Sequence, residues 1–304
     1  METRENETRL TEQRNPRSHG IDGMSTIEIV DLINSEDRIV AEAVGREREA
    51  LAHAVDLAVE CLRAGGRLIY VGAGTSGRLG VLDAVEMPPT YRTDPQRIQG
   101  LIAGGLDALV RSMEGAEDDR AAGARDIDAR TVGPADFVLG IAASGTTPYV
   151  HAALARARER GARTGFLLCT VPPAGLAEAH DVVIAPLVGP EVVTGSTRMK
   201  AGTATKLVLN TLSTAAMIRL GRVHGNLMVD LQVTAHKLRD RGERILMETL
   251  HLERPAAATL LDAAGGHVKT AIVMHRLAMD AARARDLLDA ADGSITRAIT
   301  EGGG

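Results

Sequence analysis

Five short apolar runs, separated by stretches with helical periodicity, constrain the fold of this chain more than any other feature. The runs lie at residues 67–71, 98–103, 137–141, 164–169 and 182–186. Strands that alternate with helices in this way are typical of a parallel sheet whose two faces are both covered by helices. The fold class predicted from the sequence is therefore α/β.

Helices are predicted on both sides of this sheet region. Ser25-Thr26-Ile27-Glu28 matches a capping box and predicts a helix through about residue 34, and a long amphipathic helix is expected from Asp37 to Arg63. Residues 1–23 are polar and lack periodicity, so we expect a mobile arm there. The strand pattern ends after Gly225. Helices are expected at residues 227–250, 256–263, 268–274 and 281–290, followed by a frayed tail at 302–304.

Composition limits the possible partners. Of the 304 residues 44% are hydrophobic but only 2% are aromatic, and there is no Trp, so platforms for stacking bases or sugar rings are scarce. The formal net charge of −5 argues against a nucleic-acid partner, which usually requires a concentrated basic surface. We therefore expect a small-molecule ligand.

The ends and the cysteines point to an ordinary intracellular protein. The first residues are charged and lack the apolar segment of a secretory signal, and no apolar run is long enough to span a membrane. We expect a cytoplasmic protein with no membrane partner. Cys61 and Cys169 lie within apolar runs, away from any metal-binding pattern, so we expect buried free thiols and no metal site.

Three segments rich in Gly, Ser and Thr are the candidate ligand-binding loops. They are Gly72–Gly77 after the first strand, Ser144–Thr147 after the third, and Thr194–Lys200 at the start of a long helix expected from about 199 to 220. Loops at the carboxyl ends of parallel strands form the usual ligand site of such sheets. The candidate binding residues are Gly74, Thr75, Ser76, Gly77, Ser144, Gly145, Thr146, Thr147, Ser196, Thr197 and Lys200.

The chemistry of these loops suits a phosphate. Glycine lets the backbone approach a ligand closely, amides at a helix start attract an anion, and hydroxyls donate further hydrogen bonds. Each loop by itself fits an N-cap and turn equally well. Three such loops in one sheet favour a phosphate or polyol site.

The first loop also spells the G-x-G-x-x-G pattern of dinucleotide-binding folds. That pattern requires an acidic residue about 20 residues further on, at the end of the second strand, to hold the ribose. The second strand is expected to end near Ala103, and the next acid, Asp107, lies too far along. Thr75 and Ser76 inside the motif suit a terminal monophosphate better, so we disfavour a dinucleotide.

Three longer segments, at residues 70–80, 140–150 and 191–203, resemble the signature segments of the N-acetylmuramic acid 6-phosphate etherases. Thr11-Glu12 with Asn15-Pro16 and the later segment 226–230 are also similar, and the resemblance extends from about residue 11 to 300. It implies a sugar isomerase (SIS) domain, which is shared with the glucokinase regulatory proteins.

The resemblance also implies a domain organisation. Residues 1–57 form an N-terminal arm and helices, 58–221 the SIS domain, and 222–304 a helical C-terminal region with a small three-helix domain. It further implies a homodimer that needs no metal or cofactor. Such an enzyme converts N-acetylmuramic acid 6-phosphate and water to N-acetylglucosamine 6-phosphate and D-lactate in the recycling of cell-wall sugars.

Two glutamates are the candidate catalytic residues. On composition alone, Glu86 fits a solvated helix end, and Glu117 fits a solvated acidic face. The resemblance places the family's catalytic glutamates at Glu86, as donor of a proton to the departing lactate, and at Glu117, as a second acid/base group. An acid that works near neutral pH needs a raised pKa, so we expect Glu86 to be partly buried against apolar neighbours.

Three positions depart from the family pattern. Thr146 stands where the family usually has Arg, which removes a cation unless another base replaces it. Val85 and Met87 flank Glu86 where the family often has Ser and Cys.

Arg198 and Lys200, at the start of the long helix, fit either surface charges or contacts to phosphate or to the lactyl carboxylate.

Two other functions are compatible with the same fold. One is a non-catalytic regulator that senses a sugar phosphate, which would not need the two glutamates. The other is an aldose–ketose isomerase, which would interconvert hexose phosphates without releasing an acid.

Overall fold

The computed structural model describes residues 9–230 and 236–303. The chain divides into two compact units, Met1–Glu86 with Asp94–Ser213, and Met87–Thr93 with Thr214–Gly304. The helices that precede or surround the sheet are α1 (Thr26–Arg46), α2 (Arg48–Arg63), α3 (Gly74–Tyr91), α4 (Asp107–Val110), α5 (Arg120–Ala129), α6 (Pro148–Glu159), α7 (Leu176–Ala179) and α8 (Lys200–Arg219).

A five-stranded parallel sheet forms the centre of the first unit. Its strands are β1 (Leu68–Gly72), β2 (Ile98–Ile102), β3 (Phe137–Ile141), β4 (Arg163–Leu167) and β5 (Val182–Ile184), in the order β2-β1-β3-β4-β5. Residue Leu68 pairs with Ile98 on one side and with Phe137 on the other. The α/β fold predicted from the sequence is confirmed, and β3 has the predicted bounds.

The strands alternate their side chains between two helical layers. On one face Ile69 and Val138 pack in a buried cluster with Ile127 of α5 and Leu154 of α6. On the other face the hydroxyl of Tyr70 donates to Asp83 of α3. Burial on both faces explains why the strands read as continuous apolar runs.

The prediction of a mobile arm at residues 1–23 is wrong for residues 9–23, which form ordered structure. Residues 1–8 lie outside the described residues. Two 3₁₀ turns form at Pro16–Ser18 and Ile21–Gly23. Thr11 and Asn15 are buried, with 2% and 4% of their surface exposed. The segment is ordered by long-range contacts that leave no periodic pattern in the sequence.

The capping box at Ser25 is confirmed, since the amide of Ser25 donates to the carboxylate of Glu28 at 2.8 Å. The helix break expected near residue 35 is wrong, because α1 continues to Arg46. The break lies at Glu47, whose carboxylate accepts a hydrogen bond from the amide of Ala185 at 3.0 Å. A tertiary contact therefore sets this boundary.

The sequence pattern after the first loop predicts a helix from about Gly77 to Val85, but α3 begins earlier, at Gly74. It continues to Tyr91 with Pro88 and Pro89 inside. Proline removes an amide donor but keeps its carbonyl acceptor. The carbonyl of Pro88 accepts from the amide of Arg92 at 2.9 Å, which closes the last turn.

The second unit is mostly helical. Its short strands β6 (Val223–His224) and β7 (Leu227–Met228) form an antiparallel pair, so the helix predicted from 227 starts too early. Gly225 has a φ of +59° and makes the turn. The helices are α9 (His236–Leu250), α10 (Arg254–Ala263), α11 (Val268–Leu277), α12 (Ala281–Ala290) and α13 (Ile295–Gly302).

Helix α13 was not predicted, because no element was assigned between residue 290 and the tail at 302–304. The hydroxyl of Ser294 caps this helix by accepting from the amide of Arg297 at 3.3 Å. Its residues Ile295 and Ala298 are buried in a cluster with Leu261 and Ile272.

Elsewhere, Cys61 and Cys169 are buried free thiols as expected. Within the described ranges, none of the helices combines the length and apolarity needed to cross a membrane.

Candidate functional site

The first loop joins the end of β1 to the start of α3. A Cβ on Gly77 would meet the carbonyl oxygen of Gly72 at 2.7 Å, so only glycine allows this tight turn. Since α3 begins at Gly74, the amides of its first turn have no acceptor within the helix. Thr75 and Ser76 are half-buried, and their hydroxyls have no hydrogen-bond partner among the described residues. The loop therefore presents free donors at a helix start.

The second loop joins β3 to α6. Gly145 has a φ of +75°, which favours glycine, and its amide donates to the carbonyl of Ala142 at 2.8 Å. The hydroxyls of Ser144 and Thr146 lie 3.0 Å apart. Thr147 stands at the N-cap of α6 but its side chain makes no capping hydrogen bond. Hydroxyls of this loop thus remain at the carboxyl edge of the sheet.

The helix that follows the third loop lies against the first loop. The Cγ2 of Thr75 is 3.5 Å from the position that a Cβ on Gly202, in the first turn of α8, would take. The anion position at the start of α8 is filled by the protein itself. The carboxylate of Glu191 accepts from the amides of Lys200 at 3.0 Å and Ala201 at 2.9 Å. Burial raises the pKa of Glu191, and these hydrogen bonds oppose that rise.

The side chain of Lys200 does not extend toward a ligand as predicted. Its Nζ lies 2.6 Å from a carboxylate oxygen of Glu36, and only 2% of the Lys200 side chain is exposed. Asn15 donates to the same oxygen at 2.8 Å, and Arg17 pairs with the other oxygen at 3.0 Å. The ammonium group is committed to a buried network, because an unpaired buried charge is costly.

The pKa of Glu36 reflects this network. Burial by itself raises the pKa, but the hydrogen bonds from Lys200 and Asn15, with the charges of Lys200 and Arg17, outweigh it and lower the pKa. The carboxylate of Glu36 therefore stays ionised and holds three partners. Of the remaining third-loop candidates, Ser196 and Thr197 are half-buried, and Arg198 is exposed.

A segment that the sequence analysis did not assign to the site, residues 9–15, connects the second and third loops. The guanidinium of Arg9 donates to the hydroxyl of Thr146 at 3.3 Å. The carbonyl of Thr11 accepts from the amide of Gly195 at 3.1 Å. The only sequence signal was the similarity of Thr11-Glu12 and Asn15-Pro16 to the etherases, which marks the segment without giving its contacts.

Glu117 is brought next to the first loop. A cavity of about 330 Å³ is lined by Ala73, Gly74 and Arg78 on one side and by residues 112–117 on the other. Glu117 lies in the 3₁₀ turn Ala116–Asp118 and is exposed. The free amides of α3 and this carboxylate therefore face one space, which is what acid/base chemistry on a phosphorylated ligand requires.

Glu86 is exposed, so the prediction that it is partly buried is wrong for the single chain. It lies on the outer face of α3, beside Val85, which is 58% exposed. The buried carboxylate of this helix is Asp83, one turn earlier, which is 2% exposed. Residues three apart in a helix differ in direction by about 60°, and here Asp83 faces the sheet while Glu86 faces out.

Asp83 accepts hydrogen bonds from Tyr70 at 2.9 Å and from Ser213 at 3.1 Å. Burial raises its pKa to about 6, while these two hydrogen bonds oppose the rise. Sequence reasoning missed Asp83 because apolar residues occur on several faces of this helix, exposed at Leu82 and Val85 and buried at Met87, so the sequence does not mark the buried face.

Known proteins settle the family. Curated N-acetylmuramic acid 6-phosphate etherases from Gloeobacter violaceus and Symbiobacterium thermophilum are 56% and 58% identical to this chain, over 88% and 87% of it and 87% of each relative. This chain belongs to the N-acetylmuramic acid 6-phosphate etherase family. A family profile described as the glucokinase regulatory protein N-terminal SIS domain matches residues 50–158 of this etherase-family chain.

The fold has solved counterparts. A phosphoheptose isomerase from Neisseria gonorrhoeae is similar in structure with a TM-score of 0.50 and 18% sequence identity, over 63% of this chain and 98% of that one. At this identity the likeness concerns the fold alone. It agrees with the sugar isomerase type of sheet expected for an etherase-family chain.

The structure locates the positions that depart from the etherase pattern. Thr146 is the residue that accepts from Arg9, so a guanidinium does lie at this loop although it comes from the N-terminal segment. Met87 is buried, whereas Val85 faces outward next to Glu86. Among the described residues, no group of three or more His, Cys, Asp and Glu side chains is placed to hold a metal ion.

Proposed function

We propose that this protein is an N-acetylmuramic acid 6-phosphate etherase, a carbon–oxygen lyase. It converts N-acetylmuramic acid 6-phosphate and water to N-acetylglucosamine 6-phosphate and D-lactate. The observation that carries the proposal is the identity of 56% and 58% to curated etherases over nearly nine-tenths of the chain. The free donors of the first loop, next to a carboxylate, support it independently.

In this proposal the phosphate is held at the start of α3. The amides of Gly74, Thr75 and Ser76 and the hydroxyls of Thr75 and Ser76 donate to its oxygens, and the helix dipole favours the negative charge. The second loop, Ser144–Thr147, and the hydroxyls of Ser196 and Thr197 bind the rest of the sugar phosphate. Lys200 supports the site indirectly, because its ion pair with Glu36 anchors the start of α8.

The reaction proceeds by elimination, because an alkoxide leaves poorly from an intact ether. Opening of the sugar ring gives an aldehyde at carbon 1, and Glu117, the second acid/base group, takes the proton from carbon 2, because the charge of the resulting anion spreads onto the carbonyl. The bond from carbon 3 to the lactyl oxygen then breaks, and Glu86 donates the proton that this oxygen takes. Water adds to carbon 3 and a proton returns to carbon 2, with Glu117 as the second acid/base group.

The wider context is also part of the proposal. Residues 58–221 form the SIS domain, preceded by an arm and helices at 1–57 and followed by the helical region at 222–304. The enzyme acts as a cytoplasmic homodimer in the recycling of peptidoglycan sugars, without a cofactor. Exposed apolar side chains on α3, Leu82 at 41% and Val85 at 58%, support a protein contact at this face.

The direct test is product formation. Purified protein incubated with N-acetylmuramic acid 6-phosphate is expected to release D-lactate, and Glu86→Gln is expected to lower turnover by about 100-fold or more. Glu60→Gln, an exposed glutamate on α2, serves as the matched control and should leave turnover unchanged. Folded wild-type protein that releases no lactate would contradict the proposal.

An isotope experiment separates the etherase from the other functions of this fold. In water labelled with oxygen-18, elimination followed by water addition places the label on carbon 3 of the product. An isomerase would interconvert sugar phosphates without this label. A non-catalytic regulator would bind the sugar phosphate without turnover.

A further inference from the structure

A second cavity borders the second loop at Gly145 and Thr146 and is lined further by α6 and by the segment that follows β4. It is separate from the cavity that Glu117 shares with the first loop. Its volume of about 530 Å³ is within the range usual for small-molecule sites. We call it the basic cleft, because none of the described residues that line it is acidic and its ionisable lining residues are Arg120, His151, Arg158 and His180.

Arg158 differs from its neighbours on α6 in having no carboxylate partner. Asp128 accepts from Arg156 at 2.9 Å and from Arg160 at 2.7 Å. Arg158 is two residues from each of them, so it is turned by about 200° around the helix axis. Its guanidinium is exposed and forms no ion pair among the described residues. The charge of Arg158 is therefore open to the cleft.

Arg120, the first residue of α5, supplies a second guanidinium of the same kind. It is exposed, and it also forms no ion pair among the residues that the structure describes. A guanidinium presents a planar fork of donors that binds two oxygens of a phosphate or a carboxylate at once. Two helices thus bring two such forks to one cleft.

His180 adds a neutral donor or acceptor. Burial, together with the charges of Arg158 and His151, lowers the pKa of His180 to about 4, while the charge of Asp181 opposes this. The ring is therefore neutral near pH 7 and has one donor and one acceptor nitrogen. Its Nδ1 lies 3.1 Å from the hydroxyl oxygen of Thr164. The Nε2 has no hydrogen-bond partner among the described residues and is left for a ligand.

His151 connects the cleft to the second loop. Its Nε2 donates to the carbonyl of Gly145 at 2.8 Å, because a carbonyl oxygen only accepts. The ring centroid of Phe166 lies 5.2 Å from that of His151 and 5.6 Å from that of His180. The two imidazoles are thus held by one buried aromatic ring, and the position of the cleft relative to the loop is fixed.

We infer that the basic cleft binds a small phosphorylated anion, at a site separate from the one proposed for the reacting sugar phosphate. Positive groups gathered without a counter-charge repel one another, and a bound anion relieves that repulsion. Two guanidinium forks and the free nitrogen of His180 approach from three elements of the fold, which suits the tetrahedral oxygens of a phosphate better than a planar carboxylate. The inference does not depend on the proposed function, since it concerns binding and requires no turnover.

A titration with pyrophosphate tests the inference directly. The full-length protein is labelled with carbon-13 at its histidine rings, and the signals of His151 and His180 are assigned with the variants His151→Gln and His180→Gln. Both signals are expected to shift with pyrophosphate concentration and to reach a plateau. If neither signal shifts, the inference is overturned.

Two variants of α6 separate a built site from general charge attraction. Arg158→Met is expected to weaken pyrophosphate binding by about tenfold, since it removes charge-assisted hydrogen bonds. Arg160→Met removes the same charge two residues away, from an arginine paired with Asp128, and should leave the affinity nearly unchanged. Equal weakening by both variants would overturn the inference. Both side chains are exposed, and melting curves verify that folding is retained.

A competition experiment distinguishes the cleft from the sugar-phosphate site. The titration is repeated with saturating N-acetylglucosamine 6-phosphate, and the shifts of His151 and His180 are expected to persist. Displacement of pyrophosphate by the sugar phosphate would assign the cleft to the reacting site and overturn the inference. The lactate assay is independent of this result: protein that binds pyrophosphate here but releases no D-lactate would refute only the proposed function.

Discussion

The first and third loops have similar compositions and stand at the starts of two helices, yet the protein uses them differently. At the first loop, the amides of Gly74, Thr75 and Ser76 and the hydroxyls of Thr75 and Ser76 have no hydrogen-bond partner among the described residues, whereas the amide of Gly77 donates to the carbonyl of Ala73. At the third, the carboxylate of Glu191 occupies the amides of α8 and Lys200 is paired with Glu36. A helix start attracts an anion in both cases. One loop leaves that position open, and the other fills it with a carboxylate of the same chain.

The largest expected effect concerns the third loop, where Glu191 occupies the amides of α8 and Lys200 is paired with Glu36. Lys200→Met removes the buried partner of Glu36 and is expected to lower the free energy of unfolding by about 3 kcal/mol, since breaking a buried ion pair strands a charge. Urea denaturation measures this. Arg198→Met, an exposed cation two residues away, is the control and should change the unfolding free energy little. If both variants unfold alike, Lys200 is not the anchor of this loop.

The second prediction concerns two buried carboxylates. Glu36 pairs with Lys200 at the end of the third loop, and Asp83 lies on α3, which follows the first loop. Glu36 has cationic partners, and its pKa is lowered, whereas Asp83 on α3 accepts from the uncharged hydroxyls of Tyr70 and Ser213, and burial raises its pKa from 3.8 to about 6. Between pH 3.8 and about pH 6, the folded protein therefore binds more protons at Asp83 than the unfolded chain does. The contribution of Asp83 to stability is therefore full below about pH 4 and lost as the pH rises through about 6.

Asp83→Asn should remove this dependence. We expect the difference in unfolding free energy between wild type and variant to change by about 2 to 3 kcal/mol between pH 4 and pH 7. Urea denaturation of both proteins across this range measures it, because other titrating groups are common to the two. A constant difference at all pH values would show that Asp83 titrates alike in the folded and unfolded chain.

The smallest expected effect concerns the first loop, whose hydroxyls have no hydrogen-bond partner among the described residues. Ser76→Ala removes a hydroxyl with no partner in the protein, so stability should stay the same, while KM for N-acetylmuramic acid 6-phosphate should rise by about tenfold. Ser196→Ala, in the loop closed by Glu191, should raise KM less. Steady-state kinetics of lactate release measure both variants. Equal effects would mean that the two loops contribute alike to binding.

Much of the fold could be predicted from local patterns. Continuous apolar runs predicted the five strands, because parallel strands are buried on both faces. The capping box at Ser25 predicted the start of α1 for an equally local reason. The errors occurred where distant residues decide the outcome: Glu47 meets Ala185, and Asn15 meets Glu36. An arm that appears featureless in the sequence is held by such contacts.

The candidate site could be predicted in part for the same reason. The Gly, Ser and Thr pattern identified the loops, but it did not show that Glu191 caps α8 or that Lys200 reaches Glu36, 164 residues away in the chain. Nor did it distinguish Asp83 from Glu86, since apolar residues lie on more than one face of the helix that carries both.

The sequence by itself determined the parallel sheet, the loops at its carboxyl edge and the resemblance to the etherases. These depend on residue type and spacing along the chain. Only the tertiary structure decided which donors remain free for a ligand, which carboxylate is buried and which faces outward. Burial and hydrogen-bond partners arise from contacts between residues far apart in the sequence, so no local pattern contains them.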